Sequence, residues 1–283
     1  MYRQLYLLLF AAILLTMGAD AAIASQATNQ EAVWILLADL SGSMQADVSL
    51  RPAVDASLPG CPKTDDQNAE TEDDRTLSKA ALVKRLVMSS GRRLAEDQRV
   101  FGLLAVEYVA GRRACYREIL AVQRHDADEV VDRICEDLDT DVPVFNRRSP
   151  LGDVLRQVDA DLLETLNGNI TLVVFSDGRD SFYDFDEDRD ASRADPLNAD
   201  DAVQGPITEG RRLAERYPGR VRMLTVLVET EDEADDDAVG RRRLTEMAET
   251  GRGAFFDTRP WYRAPRKFET LIRTLTSKGT TSP

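Results

Sequence analysis

Three oxygen-bearing side chains stand at alternate positions in Asp39-Leu40-Ser41-Gly42-Ser43-Met44. One carboxylate and two hydroxyls are hard ligands, the kind that Mg²⁺ or Ca²⁺ prefers. The stretch offers no thiol or imidazole, which argues against zinc or copper. A second carboxylate, Asp177, stands before a glycine in Ser176-Asp177-Gly178. A further hydroxyl, Ser149, opens Ser149-Pro150-Leu151-Gly152-Asp153, where serine at the N-cap and proline at the first helical position also make an ordinary helix start. A separate acidic run puts Asp184, Asp186, Asp188, Asp190, Ser192 and Asp195 at the first, third, fifth, seventh, ninth and twelfth positions of a calcium-loop register. Arg189 stands where that loop needs glycine, and the last ligand is Asp rather than Glu. Most acidic loops are simply solvated, and that is the plainer reading here.

The elements that must position these residues can be read from the apolar pattern. Residues 33–38 and 170–175 read as continuous apolar strands, broken only at Thr171; the first runs into Asp39 and the second into Ser176-Asp177-Gly178. Runs of this kind predict strands buried on both faces, as in a parallel sheet. Further strands are expected at 99–108 and 115–123, paired as a hairpin, and at 222–229 and 253–257. Helices are expected at 77–95 with Asp74 and Thr76 as caps, at 126–138 from a capping-box start, after Ser149, and at 206–217, 238–250 and 266–276. His125, the lone histidine, falls just before the second helix and reads as a surface loop residue. Alternating strands and helices predict an α/β sheet with helices on both faces, with ligands outside the carboxyl ends of the strands. Two polar insertions, 45–76 and 180–201, interrupt the alternation. The first follows the Asp-Ser-Ser cluster directly, so it belongs to the same edge of the sheet.

The chain of 283 residues is 43% hydrophobic and 30% charged, ample for a packed core. A net charge of -14 makes nucleic acid an improbable partner, because phosphate neutralisation needs clustered Lys and Arg. Residues 1–24 read as a signal peptide. Arg3 supplies the positive start, residues 5–17 the apolar run, and Ala22-Ile23-Ala24 the cleavage site before Ser25. The run is shorter than the ~20 residues of a spanning helix, and no second one follows. Export makes Cys61, Cys115 and Cys135 candidates for one disulfide and one remaining thiol, with the pairing open.

Together these residues resemble the von Willebrand factor type A domains, whose adhesion site combines Asp-x-Ser-x-Ser, a distant Thr and a distant Asp. Asp39, Ser41 and Ser43 match the first part, Ser149 stands at the threonine position, and Ser176-Asp177-Gly178 resembles the Thr-Asp-Gly after the fourth strand. The resemblance covers residues 31–277, leaving 25–30 as a lead-in and 278–283 as a tail. It implies a doubly wound, mostly parallel sheet with one antiparallel edge strand. It also implies a Mg²⁺ (or Mn²⁺ or Ca²⁺) held by Asp39, Ser41, Ser43, Ser149 and Asp177, with an open position for an acidic side chain of a protein partner. In that fold the three cysteines would lie towards the metal edge. The expectation is an exported, non-enzymatic binding module with no membrane span after cleavage. The alternatives are a scaffold domain without metal and a Mg²⁺-dependent phosphohydrolase. The hydrolase would need an acid where Ser41 stands, and a lysine for the phosphate that no motif supplies.

Overall fold

The run beginning at Val33 forms strand β1 (Val33–Asp39), and all seven of its residues are buried. Alternate side chains explain why no polar residue interrupts it. Trp34, Leu36 and Ala38 pack into one apolar layer, Val33, Ile35 and Leu37 into the other, so both faces of the strand are covered. The computed structural model describes residues 31–50, 61, 75–106, 115–138, 150–179, 205–229, 238–261 and 265–277.

A short helical turn, Gly42–Gln45, follows β1. Next come β2 (Asp47–Leu50) and β3 (Arg75–Ser78), then α1 (Lys79–Glu96), β4 (Val100–Val106), β5 (Tyr116–Gln123) and α2 (Ala127–Asp137). The second half runs α3 (Leu151–Val158), β6 (Ile170–Ser176), α4 (Gly205–Arg216), β7 (Val221–Leu227), α5 (Ala238–Thr250), β8 (Ala254–Asp257) and α6 (Pro265–Ser277). The six-stranded sheet has the order β5-β4-β1-β6-β7-β8. β1 pairs in parallel with both β4 and β6, β6 with β7, and β7 with β8. Only the hairpin partner β5 is antiparallel, at one edge. This is the doubly wound, mostly parallel architecture expected from the sequence. Apolar residues of α1, α2 and α6 fill the layer over one face, and those of α3, α4 and α5 the layer over the other.

Several local expectations are corrected. The first helix starts at Lys79, not at residue 77, and its cap is Ser78, whose hydroxyl accepts from Ala81 N at 3.1 Å. Leu77 belongs instead to β3, which pairs antiparallel with β2; the insertion 45–76 therefore leaves and rejoins the domain through a two-stranded ribbon. At α3 the N-cap is Pro150, one residue later than expected. That helix continues into a π-helical turn, Asp159–Leu163, which no periodicity announced. His125 is buried rather than a surface residue: its Nε2 pairs with Ala121 O at 2.8 Å, and its ring meets Phe101 edge-on. The signal segment 1–24, most of the insertion 45–76, all of the insertion 180–201 with the calcium-register residues Asp184, Asp186, Asp188, Asp190, Ser192 and Asp195, and Ser149 lie outside the described residues. Among the described residues no helix is long and apolar enough to cross a membrane.

Candidate functional site

β1 and β6 are adjacent and parallel, with Ala38 opposite Phe175. Asp39 and Asp177, each delivered by a strand end, therefore meet at the carboxyl edge of the sheet. Both are fully buried. The Asp39 carboxylate is held at both oxygens. Ser41 N donates to Oδ1 at 2.9 Å, and the Ser176 hydroxyl donates to Oδ2 at 2.7 Å. Ser41 Oγ lies 3.2 Å from Ser43 Oγ, bringing both predicted hydroxyls to the cluster. Four of the five expected site residues are thus described: Asp39, Ser41, Ser43 and Asp177. The helix that follows Ser149 in the sequence begins at Leu151, with Leu151 and Gly152 buried.

Ser176 was given no role from sequence. Its hydroxyl joins the two loops, donating to Asp39 while accepting from Gly178 N at 2.9 Å. The Asp177 loop is fixed from below as well. Gly178 adopts φ +76°, and a Cβ there would collide with the Gly240 carbonyl of α5, so the position needs glycine on two counts. Gly240 in turn lies against the Asp177 carbonyl. Arg243, also on α5, donates to the Gly178 carbonyl at 2.7 Å.

A second residue that sequence reasoning missed is Lys79. Its side chain is fully buried, and its Nζ lies 3.5 Å from Asp177 Oδ2. The signal that could have found it is its position directly after a cap serine, since a cation in the first helical turn opposes the helix dipole and asks for a compensating carboxylate. Burial pushes the Asp177 carboxyl above the usual carboxylate range, and the neighbouring Asp39 charge adds to this. Lys79, the Arg179 backbone N–H and the Ser43 hydroxyl pull the other way. The net direction is upward, so the site is short of positive charge.

The donor set tests the cation expectation. Two carboxylates and two hydroxyls are hard oxygen donors suited to Mg²⁺. Among the described residues no group of three or more Asp, Glu, His or Cys side chains converges, so a cation here would draw on serine oxygens and on ligands from outside. The donor chemistry fits, with Lys79 as an additional neighbour that the motif did not foresee.

The cysteines resolve as a Cys61–Cys135 disulfide in which Cys115 takes no part. Cys135 lies in the last turn of α2, so the bond pins the insertion after the Asp-Ser-Ser cluster to that helix. Cys115 precedes β5, where its backbone N donates to Gln157 Oε1 at 2.7 Å.

No family model matches the sequence, and no curated protein matches it significantly. Solved structures do resemble the fold. The pilus adhesin SpaC from Lactobacillus rhamnosus GG, in its open conformation, aligns with 14% identity and a TM-score of 0.53, covering 89% of this chain and 30% of that one. The PilB minor pilin from Streptococcus sanguinis aligns with 14% identity and a TM-score of 0.51, covering 89% and 63%. A von Willebrand factor type A protein from Catenulispora acidiphila aligns with 14% identity and a TM-score of 0.45, covering 89% and 43%. This chain spans less than two thirds of each of the three. Likeness at such identity speaks to the fold alone.

Proposed function

We propose that this chain, whose fold is von Willebrand factor type A-like, is an exported domain that binds a protein partner through a divalent cation at the carboxyl edge of its sheet. The observation that carries the reading is the meeting of Asp39 and Asp177 beside Ser41 and Ser43 at the ends of two adjacent parallel strands. Asp39, Ser41, Ser43 and Asp177 would hold Mg²⁺, and Ser149 is the fifth ligand that the sequence resemblance implies. When bound, the ion supplies a Lewis-acidic position that an acidic side chain of the partner can fill. The chain's own contribution is orientation. Ser176 and the Ser41 backbone N–H fix the Asp39 carboxylate, and α5 fixes the loop carrying Asp177. That a pilus adhesin and a minor pilin share the fold accords with a binding role. The apolar leader 1–24 and the Cys61–Cys135 bond both favour an oxidising compartment.

Lys79 gives the phosphohydrolase alternative the lysine that sequence did not supply. The alternative still places Ser41 where a carboxylic acid must protonate the leaving group, so binding remains the better reading. The test is capture of partners from an extracytoplasmic extract on the immobilised protein, with Mg²⁺ or with chelator, using wild type and Asp39→Ala. The expected result is a captured protein that is lost with chelator and lost with the substitution. Capture indifferent to both changes overturns the metal bridge, and a phosphatase activity abolished by Asp39→Ala would favour the hydrolase.

A further inference from the structure

Lysine is almost never fully buried unless paired, and Lys79 is fully buried at the first position of α1. Two features of that place are unfavourable for a cation. Water is excluded, and the exposed N–H groups of a helix start already carry partial positive charge. What offsets them is the acidic pair of the proposed cation site, reached at Asp177 Oδ2. The local charge then limits what else the site can hold. Ionised Asp39 and Asp177 bring two negative charges, and the Lys79 ammonium neutralises one. A divalent ion arriving while the ammonium stayed would set three positive charges, plus the helix end, against those two. Like charges a few ångströms apart and shielded from water repel strongly. The ammonium, however, sits on a flexible four-carbon stem with other rotamers open to it in principle.

We propose that Lys79 is a built-in counter-ion that competes with the divalent cation for Asp177, so that the Lys79–Asp177 ion pair and the metal-loaded site are mutually exclusive states. This inference rests on the metal reading above and adds to it a resident competitor. The ammonium keeps the acidic pair partly neutralised until a divalent ion displaces it, and each loading event weakens by whatever the ion pair contributes.

The experiment is calorimetric titration of Mn²⁺ into the oxidised protein, as wild type, Lys79→Met and Lys79→Met with Asp177→Asn. Lys79→Met is expected to bind one Mn²⁺ at least tenfold more tightly than wild type, and the double variant to lose that gain. Equal or weaker binding by Lys79→Met overturns the competition while leaving the metal reading standing. Absence of Mn²⁺ binding in both wild type and Lys79→Met overturns the metal reading, and the competition with it. Lys79→Met leaves two buried carboxylates without their cation and can fail to fold, so wild type carries a second measurement. Reductive methylation read by peptide mass is expected to spare Lys79 without metal and to modify it at saturating Mn²⁺. Equal protection of Lys79 in the two conditions overturns the proposal.

Discussion

At the scale of single residues, the site is written in charges that cannot all be satisfied at once. Asp177 is the clearest case, because burial beside Asp39 raises its proton affinity in the folded chain above that in the unfolded one. A carboxyl raised in this way contributes stability that is fully present below its unfolded pKa, about 3.9, and lost as pH rises through the folded value. In chelator, therefore, the unfolding free energy of Asp177→Asn is expected to gain on wild type as pH climbs above about 4. Urea denaturation of the two proteins across pH 4 to 8 checks this; a constant difference would mean that the charge at Asp177 costs the fold nothing. Asp39, Ser41 and Ser43 were legible in the sequence because their spacing at one strand end is local, and Asp177 because a second apolar run leads to it. Lys79 and Ser176 were not. Lys79 meets Asp177 only because α1 and the end of β6 converge in space, across 98 positions of chain, and no periodicity carries that information.

Between elements, a dense polar contact among the described residues forms where the π-helical turn after α3 meets α4. Asp159 is buried there and accepts from Arg212 Nη1, Arg216 Nη1 and Tyr217 Oη, each at 2.6 Å. Arg156 and Arg212 both donate to Glu209, each at 2.6 Å. Burial alone would raise the Asp159 carboxyl, but the hydrogen bonds from Tyr217, Arg212 and Arg216 outweigh it and hold it below the usual range. Its contribution is therefore present above about pH 4, the unfolded value, and lost as pH falls through the folded one. Asp159→Ala is expected to cost about 2 kcal/mol at neutral pH, in line with charge-assisted bonds at a partly exposed cluster. That penalty should fade below about pH 4, which denaturation at acid and neutral pH would read directly. The helix bearing Asp159 was foreseen, yet its π turn was not. The turn answers to this tertiary cluster and not to local propensity.

For the molecule as a whole, the α/β class followed from simple features: two doubly buried apolar runs, one hairpin and regular alternation with helices. What sequence left open was how the long insertion is tied down. The Cys61–Cys135 bond closes a loop across a separation of 74 residues. A cross-link of that span restricts the unfolded chain by about 4 kcal/mol in the chain-entropy account. Cys61→Ser is accordingly expected to lower the unfolding free energy by about 2–4 kcal/mol, whereas Cys115→Ser, half-buried against the apolar layer, should cost about 1 kcal/mol. Comparison of urea midpoints would separate the two, and equal losses would mean that the bond adds nothing beyond ordinary packing. The contact between the Asp177 loop and α5 has a mechanical side. Where Gly178 and Gly240 touch, backbone presses on backbone, and neither residue has a rotamer with which to yield. Packed main chain of this kind behaves as a strut rather than a spring. A push on the Asp177 loop is then handed to α5 as displacement, with Arg243 as the tie that keeps the strut seated.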